Sequence, residues 1–214
     1  MKKLLTATLA VALVFGATGA FGQTMTVSAD PDGAGGNGPF TQVFDSPVGA
    51  GFDVVVWMDT AGEPSSAAEF VVTELLVVTP GVFKLGTIKI NNTPLDLGDN
   101  AVGEYVMAFS GCEPPSAQLA MVRVTYGDFS GAVGSDVVLT LRGLQPGDSQ
   151  PSTFGGELGF VDCNEGTHVS AMGGADGGIT GALVEFPDGS LCMNPTPIAI
   201  PVGDNSVSQL KARF

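Results

Sequence analysis

Histidine, tryptophan and tyrosine are nearly absent from this chain: 214 residues hold one His, one Trp and two Tyr. A single histidine leaves most acid–base schemes resting on carboxylates. Scarce flat rings leave little with which to stack sugars. Positive charge is equally short, with 8 Lys and Arg against 22 Asp and Glu and a formal net charge of −14. Nucleic acid and anionic membranes both demand a basic face, so both are poor partners and no nucleic acid is expected. No G-x-S-x-G elbow, Walker loop or C-x-x-C pair occurs, and the chain is read as no enzyme. No segment carries a helical stripe, and no repeat of solenoid length is present.

The one sustained apolar run lies at the start. Lys2 and Lys3 precede an apolar stretch over 4–17, and Ala20 and Gly22 occupy the −3 and −1 positions of a cut before Gln23. That is the pattern of a secretory signal peptide over 1–22. At roughly 14 residues the run is too short for the ~20 of a membrane span, so no integral segment is expected after cleavage. The remaining 192 residues suit one domain over 23–202, followed by a tail over 203–214. Secretion, to the cell surface, the medium or the periplasm, is the expected localisation.

What is abundant is glycine and short β-branched segments. Strands are expected over 24–29, 40–44, 52–58, 68–79, 82–90, 104–110, 119–126, 136–144, 157–163, 179–186 and 198–202, since Val, Ile, Thr and Phe suit a pleated surface. "FDVVVW" and "FVVTELLVV" are almost wholly apolar, as central strands are, and Trp57 is read as core. "AGEPSSAAEF" suggests a helical turn capped by Ser65 or Ser66. "PDGS" at 187–190 is a hairpin signal. The fold class read from this is all-β, an antiparallel β-sandwich. A rival is an outer-membrane barrel, which the alternation of Leu210, Ala212 and Phe214 would suit, although valine-rich runs fit a polar lumen badly.

Three cysteines in an oxidising compartment leave one over after pairing. Cys163 and Cys192, both in the last third beside strand-like segments, are the expected disulfide, closing a loop of about 28 residues worth ~3 kcal/mol. Cys112 with Cys163 is the alternative. His168, five residues beyond Cys163, sits on an expected turn. A Cys–His nucleophile needs a thiolate, which a disulfide removes. Zinc needs N and S ligands that one histidine and paired cysteines do not supply. Calcium suits acidic glycine loops, and Asp30, Asp32 and Asn37 in "DPDGAGGNG" are the candidate ligands. That loop departs from an EF-hand at Ala34 and Thr41. Asp99 and Glu104 form a second acidic candidate. "NNT" at 91–93 matches a glycosylation acceptor.

Three phrases resemble cohesin-like modules: "TVSAD" with "VGAGFDVVVWMDTAG", "AQLAMVRVTYGDFSG" with "DVVLTLRGL", and "GELGFVDCNEGTHVSAMGGADGGITG". The resemblance runs from about Met25 to Gly181. It implies a jelly-roll or cohesin-like sandwich, related in architecture to carbohydrate-binding modules. The chain departs from the family in its disulfide candidates and carries no dockerin-like calcium repeat.

The function expected from all this is a secreted, non-catalytic interaction module that binds an extracellular protein or polysaccharide. A structural envelope component, and last a glycan-active enzyme working through carboxylates, are the alternatives. If 1–22 is a signal peptide, the chain recovered from its native host begins at or near Gln23, and N-terminal sequencing reads this directly. A chain that keeps Met1 overturns the assignment.

Overall fold

The computed structural model describes residues 23–30, 43–76, 81–90, 95–129, 137–172, 178–179, 185–186 and 189–195. The apolar strands pack as two layers. The first sheet runs in the order β1 (Thr24–Asp30), β3 (Gly51–Asp59), β8 (Leu119–Asp128), β5 (Val82–Lys89), every neighbour antiparallel.

The second sheet is built on β4 (Ser65–Leu76). On one side lies β7 (Glu104–Glu113), and β6 (Leu95–Asp96) pairs with β7. On the other side β10 (Leu158–Asp162) pairs with the first half of β4 and β9 (Val137–Arg142) with the second. Val71 is opposite both Glu104 and Arg142, which places β9 across β4 from β7 and in line with β10. The segment 143–157 is therefore an excursion from one continuous edge. Its neck is tight: a Cβ on Gly143 would lie 2.2 Å from the Gly156 carbonyl oxygen, so only glycine fits.

Beyond β10 comes β11 (Thr167–Met172), and beyond β9 come β14 (Leu191–Met193) and β2 (Val43–Phe44). β11 also pairs in parallel with β1 through Ala171 and Met172, joining the two layers. β12 (Gly178–Ile179) and β13 (Glu185–Phe186) form a separate ribbon.

The inner faces meet in one core. Val54, Val56 and Met58 from β3 and Phe70 and Val72 from β4 join Tyr105, Leu139 and Phe160 there. The period of two along each strand directs these side chains to one side. On β8 the alternation slips: Val56 is opposite Val122 and Trp57 opposite Ala120, so Met121 is an extra, bulged residue. That slip is why Leu119 and Met121 share the core with Val122, Val124 and Tyr126.

The all-β sandwich expected from the sequence is the fold observed. Most pairings are antiparallel as expected, and two, β1 with β11 and β14 with β2, are parallel. The described strands form an open path from β2 to β5 around an apolar interior, so they do not make the closed barrel held as a rival. The helical turn is instead the start of β4. Ser65 is buried in the sheet, and the chain turns at Ala61 and Gly62 with positive φ. The strand expected over 179–186 is a ribbon whose described ends, β12 and β13, pair with each other. The hairpin expected at 187–190 fails because β13 stays in that ribbon while β14 pairs with β9 and β2. The expected strand over 198–202, the expected tail over 203–214, the expected signal peptide over 1–22 and the acceptor pattern at 91–93 lie outside the described residues.

The disulfide also needs correction. Cys163 bonds to Cys112, with Cα atoms 5.7 Å apart, and Cys192 is fully buried on β14 against Val138. Ser65 is paired with Glu113 on one side and Asp162 on the other, so the strand ends carrying Cys112 and Cys163 converge at the entrance to β4. Cys192 is opposite Val138, on the far side of β9 from β4. A disulfide requires close Cβ atoms, and strand order rather than sequence separation supplies them. The bond spans 51 residues, so a Cys112→Ala/Cys163→Ala chain should lose about 4 kcal/mol in the chain-entropy model, read from urea unfolding. A Cys192→Ala chain should still gain the mass of two hydrogens on reduction.

Candidate functional site

The edge strand β5 inverts the usual pattern. Its charged residues Lys84 and Lys89 turn inward, and Phe83, Leu85 and Ile88 turn outward with 54–55% of their surface exposed. Tyr105 is the reason for the inversion at Lys84. The Lys84 ammonium donates to the Tyr105 hydroxyl at 3.2 Å and to the Asn100 carbonyl, and lies 5.5 Å from the ring centroid. Lys89 pairs with Asp96 at 3.0 Å. Burial pushes the Tyr105 hydroxyl up to about 12, with Asp96 adding to it and the Thr87 hydrogen bond opposing. Burial likewise lowers the Lys84 ammonium, and Asp99 partly offsets that. A cavity of about 260 Å³ beside Lys84, lined by Val72, Thr73, Gly103 and Tyr126, completes this corner.

The outward side chains make an apolar patch on a floor of glycine. Gly51, Gly127 and Phe83 are opposite one another across β3, β8 and β5. A Cβ on Gly127 would stand 2.8 Å from the Phe129 ring and 3.0 Å from Leu85 Cδ1, so its absence lets both lie on the backbone. Leu85 is the bulged residue of β5, between Lys84 opposite Tyr126 and Gly86 opposite Thr125. Phe129 is held just past β8 by its amide on the Gly81 carbonyl at 3.0 Å, and its ring centroid is 6.4 Å from that of Phe83. Phe129 is 60% exposed.

Along the same face the next rows are Asp53, Thr125 and Gly86, then Val55, Arg123 and Ile88. Thr125 donates to Asp53 at 2.7 Å, and Arg123 stands 3.7 Å from the same carboxylate. Trp57 closes the face. It is buried as expected, but in a small outer cluster with Val55, Ala120 and Ile90 rather than in the main core, and its indole donates to Ser28 at 2.9 Å.

Several other acidic residues bind the protein to itself. Buried Glu69 accepts from the Ser152 hydroxyl and the Thr153 amide, and buried Glu104 accepts from the Ser149 amide and hydroxyl. Arg142 grips Asp148 with two hydrogen bonds, at 2.6 and 3.0 Å. These contacts pin the 143–157 excursion, which encloses a cavity of about 530 Å³ lined by Gln145, Asp148, Gln150 and Ser152. Asp99 and Glu104 do not converge on a common point: Asp99 caps Ala101, while Glu104 faces Ser149. Asp30 closes β1 opposite Asp53, and Asp32 and Asn37 lie outside the described residues. Among the described residues no cluster of three His, Cys, Asp or Glu side chains could hold a metal.

His168 lies on strand β11 opposite Phe160, not on a turn. Its Nε2 meets Asp162 Oδ2 at 2.9 Å, its Nδ1 meets the Gln23 amide nitrogen at 3.2 Å, and its ring stacks on Phe160. Asp162 Oδ1 also accepts the Asn164 and Gly166 amides, which shapes the turn from β10 to β11. Cys163 beside it is consumed by the disulfide and offers no thiolate.

No family model and no curated protein matches the chain. Solved structures similar to it include the cohesin module from a Clostridium perfringens ATCC13124 family 33 glycoside hydrolase, at 10% identity and TM-score 0.45, covering 82% of this chain and 98% of that one. CaCohA2 from Clostridium acetobutylicum matches at 11% identity and TM-score 0.44, covering 82% and 92%. The Bacillus cereus major pilin subunit BcpA matches at 8% and 0.40, covering 81% of this chain and 40% of the pilin. The cohesin-like resemblance read from the sequence is met again in these structures.

The Asp162 cluster makes a pH prediction. The His168 hydrogen bond first, then the Gly166 and Asn164 amides, hold the Asp162 carboxyl below the usual range. Its contribution is therefore present above the unfolded value near 3.9 and is lost as pH falls through the lower folded value. Urea midpoints should drop from about pH 4 downward. Asp162→Asn should lower the midpoint at neutral pH and make the acid fall shallower. Parallel curves for the two proteins would show that Asp162 contributes nothing.

Proposed function

We propose that this chain is a secreted, non-catalytic interaction module whose binding face is the outer surface of the first sheet. The observation that supports this is the patch of Phe83, Leu85 and Phe129, three large apolar side chains kept more than half exposed on a glycine floor. Folding gains nothing from apolar surface left in water. A contiguous patch of it on a soluble face marks an interaction site. Aromatic side chains rimmed by polar residues are the usual centre of such a site. Here Asp53, Thr125 and Arg123 supply the polar rim. Leu85 and Ile88 offer no flat face to a sugar ring, so a protein is the better partner and a polysaccharide the weaker one.

The test is titration of the full-length chain against envelope protein extracts and against cell-wall polysaccharides. Binding should saturate, and Phe83→Ser/Phe129→Ser should weaken it at least tenfold, as the loss of central anchors does. Both positions are exposed, so an unchanged urea midpoint controls for folding. Saturable binding that the double variant leaves intact would move the site elsewhere. Hydrolysis of a glycan by the chain, lost on changing one Asp or Glu, would overturn the non-catalytic reading.

A further inference from the structure

Among the described residues, Arg123 is the single Lys or Arg on the outer face of the first sheet, since Lys84 and Lys89 turn inward. Its hydrogen bonding is left unfinished. Lys84, Lys89 and Arg142 each have a close partner, in Tyr105, Asp96 and Asp148. The Arg123 Nε reaches Asp53 Oδ2 only at 3.7 Å, beyond hydrogen-bond distance, and this buried nitrogen donates to no partner among the described residues. The other oxygen of Asp53 is taken by Thr125 at 2.7 Å. A guanidinium carries its donors in a planar fork shaped for a carboxylate. Taking it out of water with those donors unfilled costs free energy, and a second carboxylate would offset that cost. The Arg123 side chain keeps 19% of its surface in solvent, so a carboxylate can approach it from outside.

The surroundings of Arg123 fix the rest of the chemistry. Ile88 is opposite it and 55% exposed. Four residues along β8, about 14 Å at strand spacing, Gly127 lies opposite Phe83 in the floor under Leu85 and Phe129. In an extended segment the side chains i, i+2 and i+4 share one face and cover the same distance. More than one acid would meet repulsion, because the chain has a formal net charge of −14. The outer edge of β5 suits such a segment badly. A bulge at Leu85 and the inward Lys84 and Lys89 are features that deter strand pairing. The segment therefore lies over the side chains of the face, not in the plane of the sheet.

We propose that the partner of this face is a protein segment with apolar side chains and a single carboxylate. The apolar side chains pack on Phe83, Leu85 and Phe129, and the carboxylate accepts hydrogen bonds from Arg123. The patch supplies contact area, and Arg123 supplies specificity. This rests on the reading of that face as the binding site and adds the charge that the partner must carry.

Calorimetric titration of the full-length chain with two capped hexapeptides tests the proposal. Both carry phenylalanine and leucine at the first and third positions, and they differ in having glutamate or glutamine at the fifth. The glutamate peptide should bind about tenfold tighter, as one charge-assisted hydrogen-bonded pair would give, and high salt should narrow the gap. Arg123→Gln should erase the preference, with an unchanged urea midpoint as the control for folding. Equal affinities in the parent overturn the proposal. So does a preference that survives in Arg123→Gln, or no saturation by either peptide up to about 5 mM. If the two peptides bind equally and Phe83→Ser/Phe129→Ser weakens both, the carboxylate proposal falls and the binding face stands. If Arg123→Gln erases the preference but the double serine variant binds as the parent does, the apolar face falls and the proposal built on it falls too.

Discussion

Strand β4 is hydrogen-bonded along both edges, and the rest of the molecule is arranged by that constraint. Its inward Phe70 stacks on Tyr105 at 5.1 Å and packs in the core that both sheets share. Its outward Glu69 reaches Ser152 and Thr153 and ties down the long excursion between β9 and β10. Its first residues bring the ends of β7 and β10 together, which decides that Cys163 meets Cys112. A backbone satisfied on both sides cannot shift register without breaking two ladders at once. The sites on either side inherit that rigidity.

The chain's acidity reads differently once its partners are known. Several carboxylates are consumed by hydroxyls, amides and the few cations: Glu69 and Glu104 by the excursion, Asp148 by Arg142, Asp96 by Lys89 and Asp162 by His168. A buried carboxylate without such partners would be too costly to keep. Use of the cations inside the fold leaves the surface anionic. Apolar surface is handled in the opposite way, since Phe129 and Leu85 lie on a glycine floor and still keep more than half of their surface in solvent.

Much of the fold was legible because β-sheet burial writes a local pattern. The runs at 52–58 and 68–79 mark central strands, and they are β3 and the core of β4. The strand over 82–90 was equally visible, but its faces were not. An alternating Lys and Phe pattern ordinarily sends lysine to water, and only Tyr105 and Asp96, brought beside β5 by β6 and β7, reverse it. The bulge at Met121 hides in the same way, since one extra residue looks like imperfect alternation until the partner strand is known. His168 looked like a turn residue because glycines surround it. Pairing with Phe160 and a bond to Asp162 make it a strand residue.

By itself the sequence determined the all-β class, the approximate strand positions, the acidic character and the shortage of groups for catalysis. These follow from composition and period, which are properties of neighbours along the chain. The tertiary structure alone decided which cysteines pair, which face of β5 is wet, and which carboxylates are taken up inside the fold. Each of those depends on strands far apart in sequence lying side by side, and strand order is set by how the two sheets close over one core.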